Sequence, residues 1–356
     1  MIIEIHNSVS SKALNEEDLE RFSSLFRLRR KGKAFVIADI RLLQELIKQD
    51  FGSFDKSNIR KIINDQVLWR NKLLSLNARF ILTSYEKEDN LRLQCKTGIP
   101  HFCFKEFEYT PPSIIAENLL DISFYKAVVS AYCDNVLKLK GIRLSVNEKH
   151  GGGATICDVI KSHIANSEGL ALCLLDSDKS HPDDSLGQTA QKVLDQVELD
   201  DYTKIINLNV REVENIIPID VIERVRHQKC QKAKIKQYKS LLEYDFPVAN
   251  PMMYVDLKKG LKICLQREDF CEETGKYWRT ILNTVGNTKE CNCVNAKGCT
   301  CIFIDGFGSS LLRDVVTNPD GIKIEFNNLS GFYKKELTDL AEALVAYLLS
   351  PLPLVA

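Results

Sequence analysis

Two stretches decide the fold: SIIAENLLDISFYKAVVSAY (113–132) and GLALCLLDSDKS (169–180). Each is an apolar run that ends in acidic residues, the first at Glu117 and the second at Asp176 and Asp178. A helical pattern follows the first run, and alternation of strands with helices predicts a parallel sheet. The carboxyl ends of parallel strands converge on one edge of the sheet. We therefore predict an α/β fold, a mostly parallel sheet flanked by helices, in which these carboxylates face one crevice.

The segments between and after these two stretches extend the alternation. IRLSVNEKHGGGATICDVIKSHI (142–164) reads as a strand, a triple-glycine turn and a helix with Thr155 at its N-cap. KIINLNVREVENIIP (204–218) reads as a strand that leads to Glu212 and Glu214. The glycines suit a tight strand–helix turn or a close approach to phosphate, and we favour the turn. No Gly-Lys-Ser/Thr follows them, which excludes a Walker A loop.

Length and composition set the domain count and the class of protein. A chain of 356 residues suits about two or three domains. Two prolines at 111–112 mark a boundary, and we predict an N-terminal α/β segment (1–110), a central acidic domain (111–222) and a C-terminal helical and Cys-rich region (223–356). The 44% hydrophobic and 27% charged content is that of an ordinary globular protein.

Charge and cysteine usage indicate the compartment. The 48 basic residues balance the 48 acidic ones, so any basic surface must be local. We find no long apolar run and no signal-peptide pattern, and we expect no membrane association. The 12 cysteines are scattered through apolar segments as well as clustered, which is typical of reduced thiols. We therefore predict a cytoplasmic protein.

The acidic set suits a hard divalent cation. Glu117 at one strand end and Asp176 and Asp178 at another are oxygen ligands of the kind that Mg²⁺ or Mn²⁺ prefers. Such an ion keeps several waters and completes its coordination with a substrate phosphate. Lys179 follows the aspartates directly, and it would either neutralise charge on a phosphoryl transition state or be a surface lysine.

At this point the sequence resembles the TOPRIM domain, which topoisomerases, primases, OLD-family nucleases and phage-defence nucleases share. The resemblance lies in four motifs and covers about a third of the chain. They are IIAENLLDISFY (114–125), GGGAT (151–155), LLDSD (174–178) and LNVREVENIIP (208–218). One position departs from the family pattern, because Asn118 stands where glycine usually follows the first glutamate. Asparagine tolerates a positive φ better than most residues.

The resemblance implies roles for individual residues. Glu117 would be a general acid/base or a metal ligand, and Asp176 and Asp178 would bind the metal. Asp121 stands where the family often has an aspartate four residues after the glutamate, and it would join the metal ligands. The nuclease branch adds a later carboxylate, for which Glu212 and Glu214 are both candidates.

A basic stretch follows the acidic domain. Residues 224–239 (RVRHQKCQKAKIKQYK) contain no acidic residue. Such a run is either a solvated face or a contact for a nucleic-acid backbone, and the two alternatives stay open here. The candidate contacts are Arg224, Arg226, Lys229, Lys232, Lys234 and Lys236.

The last motif is the cysteine cluster ECNCVNAKGCTC (290–301). Its two Cys-x-Cys pairs, Cys291 with Cys293 and Cys299 with Cys301, can bring four thiolates around a structural Zn²⁺. Cys264 and Cys271 could replace one pair. The alternative is a reduced hairpin without metal, against which four cysteines within eleven residues argue.

Together these features predict a metal-dependent endonuclease that hydrolyses DNA or RNA. By resemblance to defence nucleases, it would be a toxic effector of a phage-defence system. The chain has no ATPase motif, so a controlling ATPase or sensor would be a separate protein, and a homo-oligomer is left open. The alternative is a catalytically silent TOPRIM-fold subunit that binds nucleic acid or a partner protein.

Overall fold

A computed structural model gives the architecture of the chain. It describes residues 1–9, 14–76, 79–85, 88–95, 102–103, 110–226, 229–244, 246, 248–267, 272–286, 291, 293, 299–319, 322–329 and 331–353. The fold is α/β, with a parallel sheet flanked by helices and a cysteine cluster towards the C-terminus. Within the described residues, no helix is both long and apolar enough to cross a membrane.

The N-terminal segment builds a five-stranded mixed sheet in the order β2-β1-β3-β4-β5. Strand β1 pairs in parallel with β2 and β3, whereas β4 pairs antiparallel with both β3 and β5. Asn15 caps the first helix through a capping box with Asp18. The elements are β1 (Ile2–Ile5), α1 (Glu16–Arg30), β2 (Phe35–Ala38), α2 (Ile40–Leu46), α3 (Ser53–Leu74), β3 (Phe80–Tyr85), β4 (Glu88–Cys95) and β5 (Phe102–Cys103).

The central segment builds a four-stranded, all-parallel sheet in the order β10-β9-β6-β8. The chain runs from β6 outward to β8 and returns on the other side of β6 as β9, so the strand order reverses between β6 and β9. Ligand crevices of open α/β sheets lie at such switch points. The elements are β6 (Ser113–Ala116), α4 (Leu119–Tyr132), β7 (Ile142–Leu144), β8 (Asn147–His150), α5 (Ile156–Ala165), β9 (Ala171–Leu175), α6 (Gln188–Gln196) and β10 (Thr203–Asn207).

Burial on both faces explains why the central strands read as unbroken apolar runs. All residues of β6 and of β9 are buried. Ile115 and Cys173 pack with helices α5 and α6, whereas Ile114 and Leu172 belong to the larger core on the opposite face. Packing on both faces holds the sheet in place, and with it the residues that follow the ends of β6 and β9.

The C-terminal region adds helices and a short ribbon. Strands β11 and β12 form a two-stranded antiparallel ribbon, and β13 pairs antiparallel with β7. A 3₁₀ turn at Val213–Ile216 links the central sheet to this region. The elements are α7 (Ile219–Val225), α8 (Lys229–Glu243), β11 (Gly260–Lys262), α9 (Glu272–Thr284), β12 (Ile302–Asp305), α10 (Leu311–Thr317), α11 (Gly331–Leu348) and β13 (Leu349–Pro351).

The segment IRLSVNEKH (142–150), predicted as one strand, forms two. The backbone N–H of Ser145 donates to the carbonyl of Leu348 (2.9 Å), whereas that of Asn147 donates to the carbonyl of Pro112 (2.9 Å). The segment therefore changes its partner within three residues, from β13 to the strand that contains β6. Strand β7 belongs to the edge made by the C-terminus, and β8 alone belongs to the central sheet.

Candidate active site

Glu117 lies directly after β6, and the residues that follow fix its position. Asn118 caps α4: its side-chain oxygen accepts from the N–H of Leu120 (3.1 Å), and Asp121 accepts from the N–H of Asn118 (2.8 Å). The φ of Asn118 is −135°, an extended conformation that any residue adopts. No positive φ is needed here, so the departure from glycine leaves the turn intact and supplies a helix cap.

Asp176 lies directly after β9 and is held by the chain that follows β10. Its Oδ1 accepts from the N–H of Val213 (3.1 Å). The neighbouring Ser177 donates through its hydroxyl to the carbonyl of Val210 (2.7 Å), and the N–H of Asp178 donates to the carbonyl of Arg211 (2.9 Å). These bonds join the end of β9 to the segment that carries the later glutamates.

Asp178 lines a neighbouring cleft, which Asp176 does not line, but its charge still reaches Glu117. Its φ is +54°, a left-handed conformation that redirects the chain after Ser177. A Cβ on Gly187 would lie 2.4 Å from the Cβ of Asp178, so only glycine permits this close approach. The cleft beside Asp178 has a volume of about 420 Å³ and is also lined by Arg211 and Asp256.

Glu212 and Glu214 converge on a lysine that the sequence analysis did not find. The Nζ of Lys258 lies 3.1 Å from Glu212 Oε2 and 3.2 Å from Glu214 Oε1. The turn that carries both glutamates is anchored by Asn215, whose amide donates to the carbonyls of Met252 and Val255 (2.8 Å each). The side chain of Glu214 is only 3% exposed, and its second oxygen, Oε2, has no hydrogen-bond partner.

These elements enclose a cleft of about 520 Å³ at the switch point between β6 and β9. Four acidic side chains line it, accompanied by Lys258 and by residues of the glycine turn and of α10. The acidic lining residues are Glu117, Asp121, Asp176 and Glu214. We call this group the acidic cleft. It brings together Glu117 and Asp176, as the sheet topology predicts.

Burial and mutual repulsion raise the pKa values of the acidic cleft. Burial raises the pKa of Asp121 to about 7. Burial, then the charge of Glu117, raises the pKa of Asp176 well above its usual value. Burial also raises the pKa of Glu214, and burial followed by the charge of Asp178 raises that of Glu117. Carboxyls in such surroundings cannot all ionise without a compensating cation.

Lys179 does not enter the acidic cleft. Its Nζ donates to the carbonyl of Pro182 (3.3 Å), and its N–H donates to the hydroxyl of Ser177 (3.4 Å). Of the two alternatives for this residue, the structure favours a lysine that supports its own loop.

The triple-glycine turn packs against the end of β6. The N–H groups of Gly151 and Gly152 donate to the carbonyls of Ala116 (2.7 Å) and Glu117 (3.0 Å). Gly152 has a φ of +70°. Thr155 occupies the N-cap position of α5, but its hydroxyl donates backward to the carbonyl of Gly151 (2.6 Å) and makes no cap bond. The tight-turn interpretation accounts for these bonds.

The four clustered cysteines form a second candidate site. The Sγ atoms of Cys291 and Cys299 lie 3.3 Å apart, and those of Cys293 and Cys301 lie 3.6 Å apart. All four Sγ atoms lie within 4.8 Å of one another, so the group could hold a metal ion such as zinc. We call them the cysteine site. Cys271, the other half of the alternative pair, lies outside the described residues.

Hydrogen bonding lowers the pKa of one thiol in the cysteine site and raises that of another. Burial opposes ionisation of Cys299, but hydrogen bonds from the Cys291 thiol and from the N–H of Cys301 lower its pKa to about 6. Its interaction with Cys293 raises the pKa of Cys301 to about 12. Cys264 is buried and also hydrogen-bonds Cys299. The eight cysteines whose side chains the structure describes are free thiols: Cys133, Cys157, Cys173, Cys264, Cys291, Cys293, Cys299 and Cys301.

The basic stretch forms the end of α7 and most of α8, and several of its cations contact the protein itself. Arg226 pairs with Asp314, Arg224 donates to the carbonyl of Lys323, and Lys234 donates to the carbonyl of Gly306 (2.6 Å). Lys232 and Lys236 are exposed, whereas the side chain of Lys229 lies outside the described part. Part of the stretch therefore fastens α8 to the ribbon region, and the nucleic-acid contact stays a prediction.

Comparison with known proteins identifies no relative. No protein-family model matches the chain, and neither the curated proteins nor the solved structures contain a significant match. The chemistry of the two sites is therefore the basis for assigning a function.

Proposed function

We propose that this protein is a metal-dependent nuclease of the TOPRIM type. One observation carries the proposal: four carboxyl side chains line an open cleft at the switch point of a parallel sheet, with Asp121 and Glu214 buried and Glu117 and Asp176 half-buried. Like charges repel, so a cluster of this kind costs stability unless it binds a cation. The TOPRIM resemblance of the same motifs supplies the reaction class, hydrolysis of phosphodiester bonds in DNA or RNA.

The donor set fits Mg²⁺ or Mn²⁺. All four candidate ligands are carboxylates, and these ions prefer oxygen. The unpartnered Oε2 of Glu214 is a buried acceptor that a cation would satisfy. Glu117, Asp121, Asp176 and Glu214 are the residues that would hold the ion, and Asp178 would act from the neighbouring cleft. A bound ion of this kind activates water and stabilises charge on a phosphate.

The chain's own residues would orient the substrate. Lys258 reaches the acidic cleft with its charge between Glu212 and Glu214, and Arg313 lines the same cleft. These two cations can attract a phosphate to an otherwise acidic surface. Asp176 is kept in position by the N–H of Val213 (3.1 Å). Glu117, whose pKa is raised, is the candidate for moving a proton to or from the reacting oxygens.

The cysteine site is proposed to hold a structural Zn²⁺. Four thiolates complete a tetrahedral shell and leave no open position for chemistry. A role as a toxic effector of phage defence, controlled by a separate ATPase or sensor, rests on the TOPRIM resemblance alone.

The deciding experiment incubates purified protein with supercoiled plasmid DNA and with total tRNA, in Mg²⁺ or Mn²⁺. We expect cleavage of at least one substrate and a loss of at least about a hundredfold for Asp176→Asn, as when one preorganised active-site group is removed. A Lys179→Met variant is the matched control, because Lys179 contacts Pro182 outside the acidic cleft. Equal cleavage by wild type and Asp176→Asn would refute the assignment.

A silent binding subunit is the second candidate, and the Lys258 contacts favour it. Glu212 and Glu214 already have a cationic partner, so part of the cluster is compensated without a metal. Titration with Mn²⁺ separates the two candidates, since a silent subunit is expected to show no saturable binding that Asp176→Asn removes.

A further inference from the structure

The ribbon of β11 and β12 connects the cysteine site with the acidic cleft. At one end, Cys264 follows β11, and Cys299 and Cys301 precede β12. At the other end, Lys258 precedes β11, and β12 leads into the residues of α10 that line the cleft. Both strands of one short element thus run between the two candidate sites.

Backbone contacts join the two strands of the ribbon at the cleft end, so that Lys258 follows the position of β12. The N–H of Gly308 donates to the carbonyl of Lys258 (2.9 Å), and that of Phe307 donates to the carbonyl of Leu257 (2.7 Å). A Cβ on Gly306 would lie 2.2 Å from the carbonyl oxygen of Lys258. The position of Lys258 is therefore set directly by the chain that leaves β12.

The opposite end depends on the cysteines. The N–H of Ile263 donates to the carbonyl of Cys301 (3.0 Å), and the N–H of Cys301 points to the Sγ of Cys299 (3.3 Å). The register between the strands shifts at Leu261 and Lys262, so the ladder is interrupted just before this end. A two-stranded ribbon has little stability of its own, and thiols are weak hydrogen-bonding groups.

We propose that a Zn²⁺ ion bound by Cys291, Cys293, Cys299 and Cys301 fixes this ribbon and thereby holds Lys258 between Glu212 and Glu214. Occupancy of the cysteine site then controls the charge of the acidic cleft. Lys258 is a positioning residue for the glutamates in this scheme. Its consequence for cleavage rests on the proposed nuclease function, whereas the positioning itself does not.

The test uses amine-reactive labelling of the whole protein, followed by peptide mass spectrometry. Lys258 and Lys259 are adjacent, but their side chains are 33% and 75% exposed. Lys259 therefore serves as an internal control for reagent and exposure. We expect one zinc per chain. Removal of the zinc by a chelator should raise the ratio of Lys258 labelling to Lys259 labelling at least about fivefold, which is the lower end of the usual coupling between two sites. Readdition of Zn²⁺ should restore the ratio.

Variants separate metal loss from general unfolding. Cys293→Ser should lose zinc and show a raised labelling ratio. Cys157→Ser, in the core that packs against the central sheet, should keep its zinc and the wild-type ratio. Amide exchange provides a second readout: the N–H of Gly308 should lose protection without zinc while the amides of β9 keep theirs. An unchanged ratio and unchanged Gly308 protection in zinc-free protein would overturn the proposal, as would absence of bound zinc.

These readouts do not depend on cleavage. A protein that shows the zinc-dependent labelling but cuts neither DNA nor tRNA would retain this inference and lose the nuclease assignment. The reverse outcome would retain the nuclease and remove the connection between the sites.

Discussion

The cysteine site and the acidic cleft are both candidate metal sites, but they are built differently. The four Sγ atoms of the cysteine site lie within 4.8 Å of one another, and in the described part of the chain no other set of three or more potential ligands is gathered as closely. The carboxyls of the acidic cleft come from two strand ends, the first turn of α4 and a 3₁₀ turn, and Lys258 lies between Glu214 of the cleft and the neighbouring Glu212.

Charge explains the contrast. In the cysteine site the pKa of Cys299 is lowered to about 6 and that of Cys301 is raised to about 12, so a Cys299 thiolate can accept hydrogen bonds from neighbouring neutral thiols, and the four sulfurs can approach one another before a metal arrives. Carboxylates repel, and their pKa values rise instead. The cysteine site is thus assembled in advance and suits a permanent ion, whereas the acidic cleft is open and suits an ion that comes with its waters and substrate.

The largest expected difference between the sites is in metal affinity. Four thiolates bind Zn²⁺ with about 10–16 kcal/mol in small zinc modules. Cys301→Ser should reduce bound zinc from one per chain towards none, measured by metal analysis after dialysis, and Asp176→Asn should retain it. Equal loss of zinc from both variants would mean that the two sites bind the same ion, or that both substitutions unfold the same part of the protein.

Neutralising the lysine of the acidic cleft should have the next largest effect. Lys258→Met leaves Glu212 and Glu214 without their cation, which costs about 1 kcal/mol for exposed pairs and about 3–5 kcal/mol for buried ones. For this half-exposed lysine we expect a loss of about 2 kcal/mol in the free energy of unfolding of metal-free protein at pH 8.

Lys259→Met is the matched control for that variant. Its side chain is 75% exposed and pairs with Asp256 at 3.4 Å, so a change within about 0.5 kcal/mol is expected. Urea unfolding measures the free energy of unfolding of both variants. Equal effects of the two substitutions would contradict the pairing of Lys258 with the glutamates.

The sequence was sufficient for the parts of the molecule that depend on local pattern. Unbroken apolar runs predict β6 and β9, and sheet topology then places Glu117 and Asp176 at one edge. The cysteine spacing predicts a group of four ligands, which the structure assembles. Local pattern identifies the strands and the cysteine group, and the rules of parallel sheets then place the strand ends.

Three features could not be predicted because they depend on distant contacts. Lys258 reaches the cleft through the packing of its backbone against Gly306. The placement of Asp178 in the neighbouring cleft depends on its φ of +54° and on the space beside Gly187. The break between β7 and β8 depends on a partner strand at the C-terminal end of the described chain. No local pattern encodes any of these.

The pH dependence of stability tests the acidic cleft without any substrate. The folded-state pKa of Asp121 is raised from 3.8 to about 7, so its stabilising effect is present below the lower value and is lost as pH rises through the higher one. The pKa values of Glu117, Asp176 and Glu214 are raised in the same direction. Metal-free protein should therefore lose stability as pH rises from 5 towards 8.

Added Mg²⁺ should reverse this loss. At ten times its dissociation constant, it contributes about 1.4 kcal/mol at pH 8 and less at pH 5, where protons compete for the carboxyls. Differential scanning fluorimetry of wild type and Asp121→Asn measures both effects, and the variant should show a flatter pH profile. A stabilisation by Mg²⁺ that is equal at both pH values would argue against binding at the acidic cleft.

The smallest expected effect concerns Asp178, which lies beside the acidic cleft. Asp178 lines the neighbouring cleft and acts on Glu117 through its charge, so Asp178→Asn should weaken Mn²⁺ binding by less than about fivefold, equivalent to a screened interaction of under about 1 kcal/mol. The same substitution at Asp176 should remove most binding. Calorimetric titration of the two variants at pH 8 makes the comparison within one Asp-x-Asp motif. If Asp178→Asn weakens Mn²⁺ binding as strongly as Asp176→Asn, both carboxylates serve one ion, and the left-handed turn at Asp178 must rearrange when the metal binds.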